Sequence, residues 1–255
     1  MRAAFFGGVY SNWLALEAAL LDARRRGAEA LYCLGDLGGF GPHPDRAIEA
    51  LRAAGVATVQ GNYDDSIGNG KPDCGCGYTD PRDNHFARIS YEYTAEKTSG
   101  AHRPWLAGLP RQLSFEAEGK RYQLVHGSPR QQNEFLWESA SPDAMLESLS
   151  DADVLLCTHT GLHWQRALPS GRRVVNVGAL GRPANDGRTE VWYALLDTER
   201  AEPFEFVPVT YDHLRLAAEL RAERLPDEFA ETLVTGFWTT CLEILPARER
   251  QRGRF

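Results

Sequence analysis

Residues 32–41 read Tyr-Cys-Leu-Gly-Asp-Leu-Gly-Gly-Phe-Gly, and this segment indicates the architecture of the chain. The apolar run from Ala30 to Leu34 ends in a glycine, and Asp36 follows directly. Three more glycines come within the next five residues. The pattern predicts a buried strand that delivers one carboxylate into a glycine-rich loop. Because ligands bind at this carboxyl edge in open α/β sheets, Asp36 is the first candidate site residue.

Strand–loop–helix units surround this segment. Asn12 is suited to cap a first helix that extends to about Arg26. Pro44 is suited to the first turn of a second helix, which extends to Ala54. A third apolar strand, Val56–Val59, then leads into Gly61-Asn62-Tyr63-Asp64. Successive units of this kind imply right-handed crossovers and a largely parallel sheet.

The composition of the sequence changes after the third strand. Residues 65–84 are rich in Gly, Asp, Asn and Pro and predict a long loop, which in a compact domain is usually a lid or a binding loop. A helical region follows from about His85 to Leu109. We therefore expect residues 65–109 to form an insertion near the site.

The rest of the chain predicts a second sheet and a helical tail. Leu113–Phe115 and Arg121–Val125 are expected to form a hairpin across Glu118-Gly119, and Asp153–Cys157 is a further apolar strand. Four later strands are expected to complete this second, more antiparallel sheet: 163–168, 173–176, 189–197 and 203–209. The tail has two helical patterns, 212–223 and 226–236. We expect one domain over residues 1–210, with a C-terminal helical extension, 211–255, packed on it.

Composition limits the classes of function. The chain has 255 residues, 43% hydrophobic and 25% charged, which is ordinary for a globular protein. Its formal net charge of −7 disfavours a general nucleic-acid or anionic-membrane surface. No apolar run approaches the roughly 18 residues of a membrane helix, and the N-terminal run is too short for a signal peptide. We expect a cytoplasmic protein.

The five cysteines do not have the spacing of a disulfide framework. Cys33 and Cys157 end apolar strands and are expected to be core residues. Cys74-Gly75-Cys76 is the close pair, and it lacks the spacing and the second pair of a zinc knuckle. A structural loop is the favoured interpretation, with a metal site as the alternative.

Four strand ends deliver polar side chains of one kind, namely Asp36, Asn62, His126 and His159. A single histidine at a strand end is usually a satisfied polar residue. Four donors at four strand ends are different, since a sheet places such ends side by side. A carboxylate, an amide oxygen and two imidazoles would suit Mn, Fe, Zn, Co or Ni rather than Ca. The spacing alone leaves both interpretations open.

The order of these motifs resembles that of the calcineurin-like metallophosphoesterases, in particular a bacterial subgroup of stand-alone domains. The motifs are Leu34-Gly35-Asp36, Gly61-Asn62-Tyr63-Asp64, Val125-His126-Gly127-Ser128-Pro129-Arg130 and Thr158-His159-Thr160. Residues 176–183, Asn-Val-Gly-Ala-Leu-Gly-Arg-Pro, also fit the subgroup. The resemblance covers nearly the whole chain.

The resemblance implies a fold and a metal centre. The fold would be a four-layer αββα sandwich of two mixed β-sheets. Two metals would lie at its strand ends, about 3.5–4 Å apart, with a bridging hydroxide that attacks phosphorus in line. Asp36 matches the bridging carboxylate, and Asn62, His126 and His159 match the other ligands of the second metal.

The first metal of the family lacks its ligands here. The Asp-x-His motif of the family matches Gly8-Val9-Tyr10, and the last histidine of its Gly-His-Thr-His motif matches Gly161. We therefore expect one divalent transition metal, and Asp36 would then bind that ion alone. A Tyr10 phenolate on trivalent iron is the less favoured alternative.

The resemblance also suggests two catalytic residues. The family often has a histidine where this chain has Tyr63, and a phenol can donate a hydrogen bond but is a poor proton shuttle near neutral pH. Arg130 follows His126 closely and would clamp a phosphate oxygen. Its alternative is a solvated surface arginine.

Two functions follow from these residues. The first is metal-dependent hydrolysis of a phosphate monoester or diester through the single retained site. The second is a catalytically weak or inactive module that binds a metal or a phosphate ligand, or regulates, on the same fold. In both cases the partner would be a small phosphorylated molecule. The aromatic tail around Phe237 and Trp238 leaves a homodimer open beside a monomer.

Overall fold

The structure of the protein, a computed structural model, describes residues 1–253. Within that range the chain forms two five-stranded sheets. In chain order the strands are β1 (Arg2–Phe6), β2 (Ala30–Cys33), β3 (Ala57–Thr58), β4 (Gln112–Ala117), β5 (Lys120–Val125), β6 (Val154–Cys157), β7 (His163–Ala167), β8 (Arg173–Val177), β9 (Val191–Asp197) and β10 (Phe204–Val209). The helices are α1 (Trp13–Arg25), α2 (Pro44–Ala54), α3 (Asn62–Gly68), α4 (Pro81–Lys97), α5 (Arg103–Ala107), α6 (Pro142–Ser148), α7 (His213–Ala222), α8 (Asp227–Thr235) and α9 (Ala247–Arg250).

The first sheet has the strand order β10-β9-β1-β2-β3. Strands β1, β2 and β3 are parallel, as the successive strand–loop units predict. Strand β9 pairs antiparallel with β1, and β10 pairs antiparallel with β9. The expectation that residues 189–197 and 203–209 belong to the second sheet is therefore wrong. Without β9, the backbone N–H and C=O groups along the edge of β1 that faces away from β2 would have no hydrogen-bond partners. The largely buried strand β9 pairs with that edge.

The second sheet has the order β4-β5-β6-β8-β7. Strands β4 and β5 form the predicted hairpin, in which Phe115 lies opposite Tyr122. Strands β5, β6 and β8 are parallel, and β7 returns antiparallel along β8. The carboxyl ends of β5 and β6 therefore lie side by side, as do those of β2 and β3 in the first sheet.

The two sheets pack face to face between helical layers. Ala3 and Phe5 of β1 face the second sheet, whereas Phe6 faces the helices. Helices α1, α7 and α8 cover the outer face of the first sheet, and Met145 of α6 covers that of the second. Because successive residues of a strand point to opposite faces, one short strand serves two cores. The predicted four-layer αββα sandwich of two mixed sheets is confirmed.

The insertion is more helical than its composition predicts. Helices α3 and α4 occupy much of the expected loop, and they leave residues 69–80 without helix or strand. Helix α4 begins early because the Asp80 side chain accepts hydrogen bonds from the backbone of Arg82 and Asp83, and Pro81 occupies the first helical position.

The tail forms the helices that its pattern predicts. Asp212 caps α7 by accepting a hydrogen bond from Arg215 N. The indole of Trp13 on α1 donates to Glu219 on α7 at 3.2 Å, and the apolar faces of α7 and α8 belong to the same core as α1. Within residues 1–253, no helix combines the length and apolar character needed to cross a membrane.

Candidate metal centre

Asp36 follows β2 in a backbone conformation that few residues adopt. Its φ is +56°, and His159 has a φ of +68°. A left-handed conformation costs a non-glycine residue about 1–3 kcal/mol, and it is concentrated at functional sites. Gly35 permits a close approach of two loops, because a Cβ there would lie 2.3 Å from Gly61 N. This contact brings the ends of β2 and β3, and with them Asp36 and Asn62, together.

The carboxylate of Asp64 connects the same two loops. Its Oδ2 accepts hydrogen bonds from Asp36 N at 2.9 Å and Gly61 N at 2.8 Å, and its Oδ1 accepts one from Leu37 N at 3.0 Å. The backbone N–H of Tyr63 donates to Asp36 Oδ1 at 3.0 Å. The sequence analysis assigned no role to Asp64. Its position two residues after the proposed ligand Asn62 could have indicated a role at this site.

Two imidazoles at the ends of β5 and β6 complete the centre. His126 Nδ1 lies 2.6 Å from the carbonyl oxygen of Leu34, and His159 Nε2 lies 3.2 Å from that of Cys76. Because a carbonyl oxygen only accepts, each of these nitrogens carries a proton and the other ring nitrogen has a free lone pair. Those other nitrogens, His126 Nε2 and His159 Nδ1, are 3.1 Å apart. Asp36 Oδ2 is 3.3 Å from His126 Nε2.

Three acceptor atoms therefore converge in a buried place. The ligand atoms of Asp36, His126 and His159 all lie within 4.8 Å of one another. Buried lone pairs that face each other need a positive partner. Orientation of an imidazole by a backbone carbonyl is also the usual arrangement around metal-bound histidines. The donor set fits a divalent transition metal.

Asn62 supplies a further donor atom. Its Nδ2 donates to the carbonyl oxygen of Cys74 at 2.9 Å, which fixes the amide. Its Oδ1 is buried and has no hydrogen-bond partner among the described residues. Since an unpaired buried acceptor is costly, Asn62 Oδ1 is suited to a fourth ligand position. The structure thus brings together three of the four residues that the sequence analysis proposed as metal ligands, and Asn62 contacts the same Cys74–Cys76 segment as His159.

The charges of the centre reinforce each other. Burial raises the pKa of Asp36, but the His126 imidazole outweighs burial and holds that pKa below its ordinary value. Burial lowers the pKa of His126, but the Asp36 carboxylate opposes burial, and the pKa of His126 lies above its ordinary value. Burial and then His126 lower the pKa of His159 to about 3. His159 is therefore neutral at neutral pH, as a metal ligand must be.

The two residues proposed for catalysis lie at the margin of this centre. The Tyr63 hydroxyl donates to Ser90 Oγ at 2.9 Å, so it faces α4. Arg130 is half exposed and forms an ion pair with Glu134 at 2.5 Å. Neither the phenol nor the guanidinium makes a contact with Asp36 in this structure.

A solvent-open groove of about 570 Å³ starts at Asn62. Three cationic side chains line it, those of Lys71, Arg111 and Arg130. Lys71 and Arg111 both bind Asp65 Oδ2, at 2.7 and 2.9 Å. The groove therefore combines one of the four donor residues with a local excess of positive charge, in a chain whose overall charge is negative.

Cys74 and Cys76 form a disulfide that the sequence analysis did not anticipate. The bond closes a ring of three residues in the segment 69–80, and both cysteines are 6% exposed. Cys33, Cys157 and Cys241 are free thiols. The sequence analysis favoured a structural loop for this pair. It predicted neither the disulfide nor the contacts of the two cysteines with Asn62 and His159.

Aromatic rings lie beside the two glycines that match ligand positions of the family's first metal. A Cβ on Gly8 would lie 2.7 Å from the ring of Tyr10, and a Cβ on Gly161 would lie 2.8 Å from the indole of Trp238. The guanidinium of Arg182 lies 3.7 Å from the centre of that indole. Longer side chains at the two glycines would therefore collide with rings already in place.

Comparisons with known proteins agree with this geometry. An uncharacterised protein of Methanocaldococcus jannaschii is 26% identical over 247 residues, covering 91% of this chain and 97% of that protein. A crystal structure of a metallophosphoesterase from Sphaerobacter thermophilus has a TM-score of 0.71 at 26% identity, covering 92% of this chain and 99% of that one. A hypothetical protein from Pyrococcus horikoshii has a TM-score of 0.78 at 25% identity, with 93% and 99% covered.

A family model of the calcineurin-like phosphoesterase superfamily domain matches residues 1–201. That range contains β1 to β9 and every proposed metal ligand. The resemblance seen in the motif order is confirmed, and the chain belongs to the calcineurin-like phosphoesterase superfamily.

Proposed function

We propose that the protein hydrolyses a small phosphate monoester or diester with one divalent transition metal, of the group Mn, Fe, Zn, Ni and Co. Asp36, Asn62, His126 and His159 would hold the ion. The observation that carries the proposal is the convergence of three buried acceptor atoms, with both imidazoles oriented by backbone carbonyl groups. A metal held there would supply Lewis acidity that lowers the pKa of a water molecule and polarises a phosphoryl oxygen.

The residues of the chain prepare this chemistry. The rings of His126 and His159 are oriented by Leu34 O and Cys76 O, so they need little reorientation to bind a cation. Asp36 is kept ionised by His126, and the N–H of Tyr63 orients its second oxygen. Burial of the four residues excludes bulk water, which strengthens each of these interactions.

The substrate would approach through the groove at Asn62. Lys71, Arg111 and Arg130 give this groove the positive charge that a phosphorylated molecule requires. Arg130 is the proposed phosphate clamp, since its exposed guanidinium can exchange the partly buried Glu134 for a phosphoryl oxygen. Tyr63 would act as a hydrogen-bond donor to the leaving group only if its hydroxyl leaves Ser90.

A single ion is proposed because of the aromatic filling beside Asp36. Gly8 and Gly161 offer no donor side chain, and the rings of Tyr10 and Trp238 lie where such side chains would project. Burial, followed by the Asp36 charge, raises the pKa of the Tyr10 phenol above its ordinary value. A neutral phenol is a weak metal ligand, which supports one ion rather than two.

The second candidate is a binding or regulatory module that holds a metal or phosphate ligand without turnover. It is favoured by the hydrogen bond that holds the Tyr63 hydroxyl on Ser90 and by the single set of proposed ligands. Hydrolysis with one Lewis acid should also be slower than with two. The same fold and the same four residues serve both candidates.

One experiment separates the candidates. The protein is stripped with a chelator, Mn²⁺ binding is measured by calorimetry, and p-nitrophenyl phosphate and bis-p-nitrophenyl phosphate are assayed with Mn²⁺. We expect Mn²⁺-dependent turnover that is lost, together with tight binding, in Asp36→Ala and His126→Ala. His85→Ala, which removes an exposed imidazole from α4, is the matched control and should behave as the wild type.

The outcomes differ for the two candidates. Equal turnover in wild type, Asp36→Ala and His126→Ala would exclude the proposed enzyme. Mn²⁺ or phosphate binding without hydrolysis across monoesters and diesters would select the binding module. If neither Mn²⁺ nor phosphate binds, both candidates fail. A cytoplasmic location and a homodimer stay predictions, and light scattering of the purified protein tests the second.

A further inference from the structure

The Cys74–Cys76 disulfide lies against two of the four proposed metal ligands. The carbonyl oxygen of Cys76 is 3.2 Å from His159 Nε2, and the carbonyl oxygen of Cys74 accepts from Asn62 Nδ2 at 2.9 Å. Asn62 Nδ2 also contacts Cys76 Sγ at 3.6 Å. The three-residue ring therefore supplies the outer hydrogen bonds that orient both ligands.

Both cysteine side chains pack in the main core, and few hydrogen bonds fix the backbone between them. Gly75 is exposed, its φ is +59°, and the nearest atom that a side chain there would meet is Ser66 Oγ at 3.9 Å. Two hydrogen bonds reach Gly75, from its N–H to Asp73 Oδ1 at 2.8 Å and from Asn133 Nδ2 to its carbonyl oxygen at 2.8 Å. The segment 69–80 has no helix or strand. The disulfide is therefore the covalent constraint on the directions of the Cys74 and Cys76 carbonyl groups, beside the core packing of the two side chains.

The bond contributes little to the fold as a whole. It closes a ring between residues two positions apart, and the stabilisation by a disulfide grows with the length of the loop that it closes. It joins no two elements of secondary structure. Its position beside Asn62 and His159 distinguishes it from a disulfide that only stabilises the fold.

We propose that Cys74 and Cys76 form a reversible redox site that controls the metal affinity of the centre, high when the disulfide is closed and low when it is open. This inference rests on the proposed metal site. It adds a modification site and a regulatory input, an exchange with dithiol or disulfide compounds, that hydrolysis itself does not need.

The redox step is ordinary thiol–disulfide exchange. One thiolate of a dithiol reductant attacks a sulfur of the Cys74–Cys76 bond, the bond breaks, and a mixed disulfide forms while the other cysteine leaves as thiolate and takes a proton. The second thiol of the reductant then closes its own disulfide and releases the remaining cysteine. Two electrons and two protons pass in total to Cys74 and Cys76.

Opening the ring should weaken metal binding for a structural reason. Without the S–S bond, the backbone dihedrals around Gly75 are free, and the two carbonyl groups lose their fixed directions. His159 then loses the Cys76 acceptor and keeps its interaction with the backbone of Asn133, and Asn62 loses the acceptor that orients its amide. Loss of such outer partners usually lowers metal affinity about 10–100-fold.

The test compares one chain in two redox states. The full-length protein is reduced with a phosphine, desalted without oxygen, and titrated with Mn²⁺ beside the untreated protein. Thiol counting in denaturant should give three free thiols before reduction, Cys33, Cys157 and Cys241, and five after it. We expect the Kd for Mn²⁺ to rise about tenfold or more on reduction and to recover on reoxidation. Mn²⁺ is chosen because thiolates are poor ligands for it.

Two variants control the comparison. The double variant Cys74→Ser/Cys76→Ser should show the weak affinity with or without reductant, and its thermal unfolding shows whether the fold is kept. Cys241→Ser retains the disulfide and should respond to reduction as the wild type does.

The inference is overturned if oxidised and reduced protein bind Mn²⁺ with the same Kd, or if reduction tightens binding, which would make the thiolates ligands. It is also overturned if five thiols are counted in protein that has been exposed to oxidant. Absence of Mn²⁺ binding in both states would remove the proposed metal site together with this inference, whereas equal binding removes the inference alone.

Discussion

Replacement of Asp64 by alanine tests how the centre is assembled. The carboxylate accepts hydrogen bonds from three buried N–H groups, those of Asp36, Leu37 and Gly61. Each buried donor left without an acceptor costs about 1–3 kcal/mol, so the gross loss is about 6 kcal/mol. Burial and then Asp36 raise the pKa of Asp64 from 3.8 to about 6, so removing the charge returns about 3 kcal/mol at pH 7. The free energy of unfolding should therefore fall by about 3 kcal/mol.

The assay is urea unfolding of chelator-treated protein at pH 7, so that no metal contributes. Asp80→Ala is the matched control, because Asp80 also accepts two backbone hydrogen bonds, from Arg82 and Asp83, but at a helix start nearer the surface. This control should lose about 1 kcal/mol. Mn²⁺ affinity should fall about tenfold or more in Asp64→Ala and stay unchanged in Asp80→Ala. Equal losses of stability in the two variants would refute the role assigned to Asp64.

Three further predictions concern the surroundings of the centre. Burial lowers the pKa of His163 to about 4, so His163 stays neutral in the folded state, whereas in the unfolded state it takes up a proton below about pH 6.5. The free energy of unfolding should therefore fall by about 2–3 kcal/mol from pH 6.5 to 4. His163→Gln should lack this part of the fall in pH-dependent urea unfolding. Trp238→Ala should cost about 3–5 kcal/mol in the same assay, because the indole is buried; a loss below about 1 kcal/mol would contradict the packing. Tyr63→Phe should leave kcat and Mn²⁺ affinity nearly unchanged, since the hydroxyl binds Ser90; a tenfold fall in kcat would instead place the phenol on the substrate.

The elements and the strand-end positions of the proposed ligands were predictable because their signals are local. The apolar run before Asp36 and the glycine after it are contiguous, so a strand end can be recognised without knowledge of its neighbours. Asn12 and Pro44 identified helix starts by the same kind of local chemistry. Parallel strand direction places Asp36 beside Asn62 and His126 beside His159, whereas the approach of Asp36 to His126 depends on how the two sheets pack.

Other features depend on contacts between distant parts of the chain. The apolar pattern of residues 191–197 shows a buried strand but does not select β1 as its partner. The spacing of Cys74 and Cys76 does not tell a disulfide from two thiols, and their contact with His159 depends on how the segment 69–80 folds back. Asp64 has the sequence of an ordinary helix-start acid, and only the approach of Gly61 to Gly35 shows why it is buried.

The indole of Trp238 has a consequence for redesign. A two-metal variant would need donor side chains at positions 8, 10 and 161, yet the last of these would collide with a ring from the C-terminal segment. Three substitutions that copy the family motif would therefore not restore the site of the family's first metal unless the C-terminal segment is altered as well. Under the proposal of a single ion, Trp238 of the C-terminal segment helps to limit the number of ions, although it is not a proposed ligand.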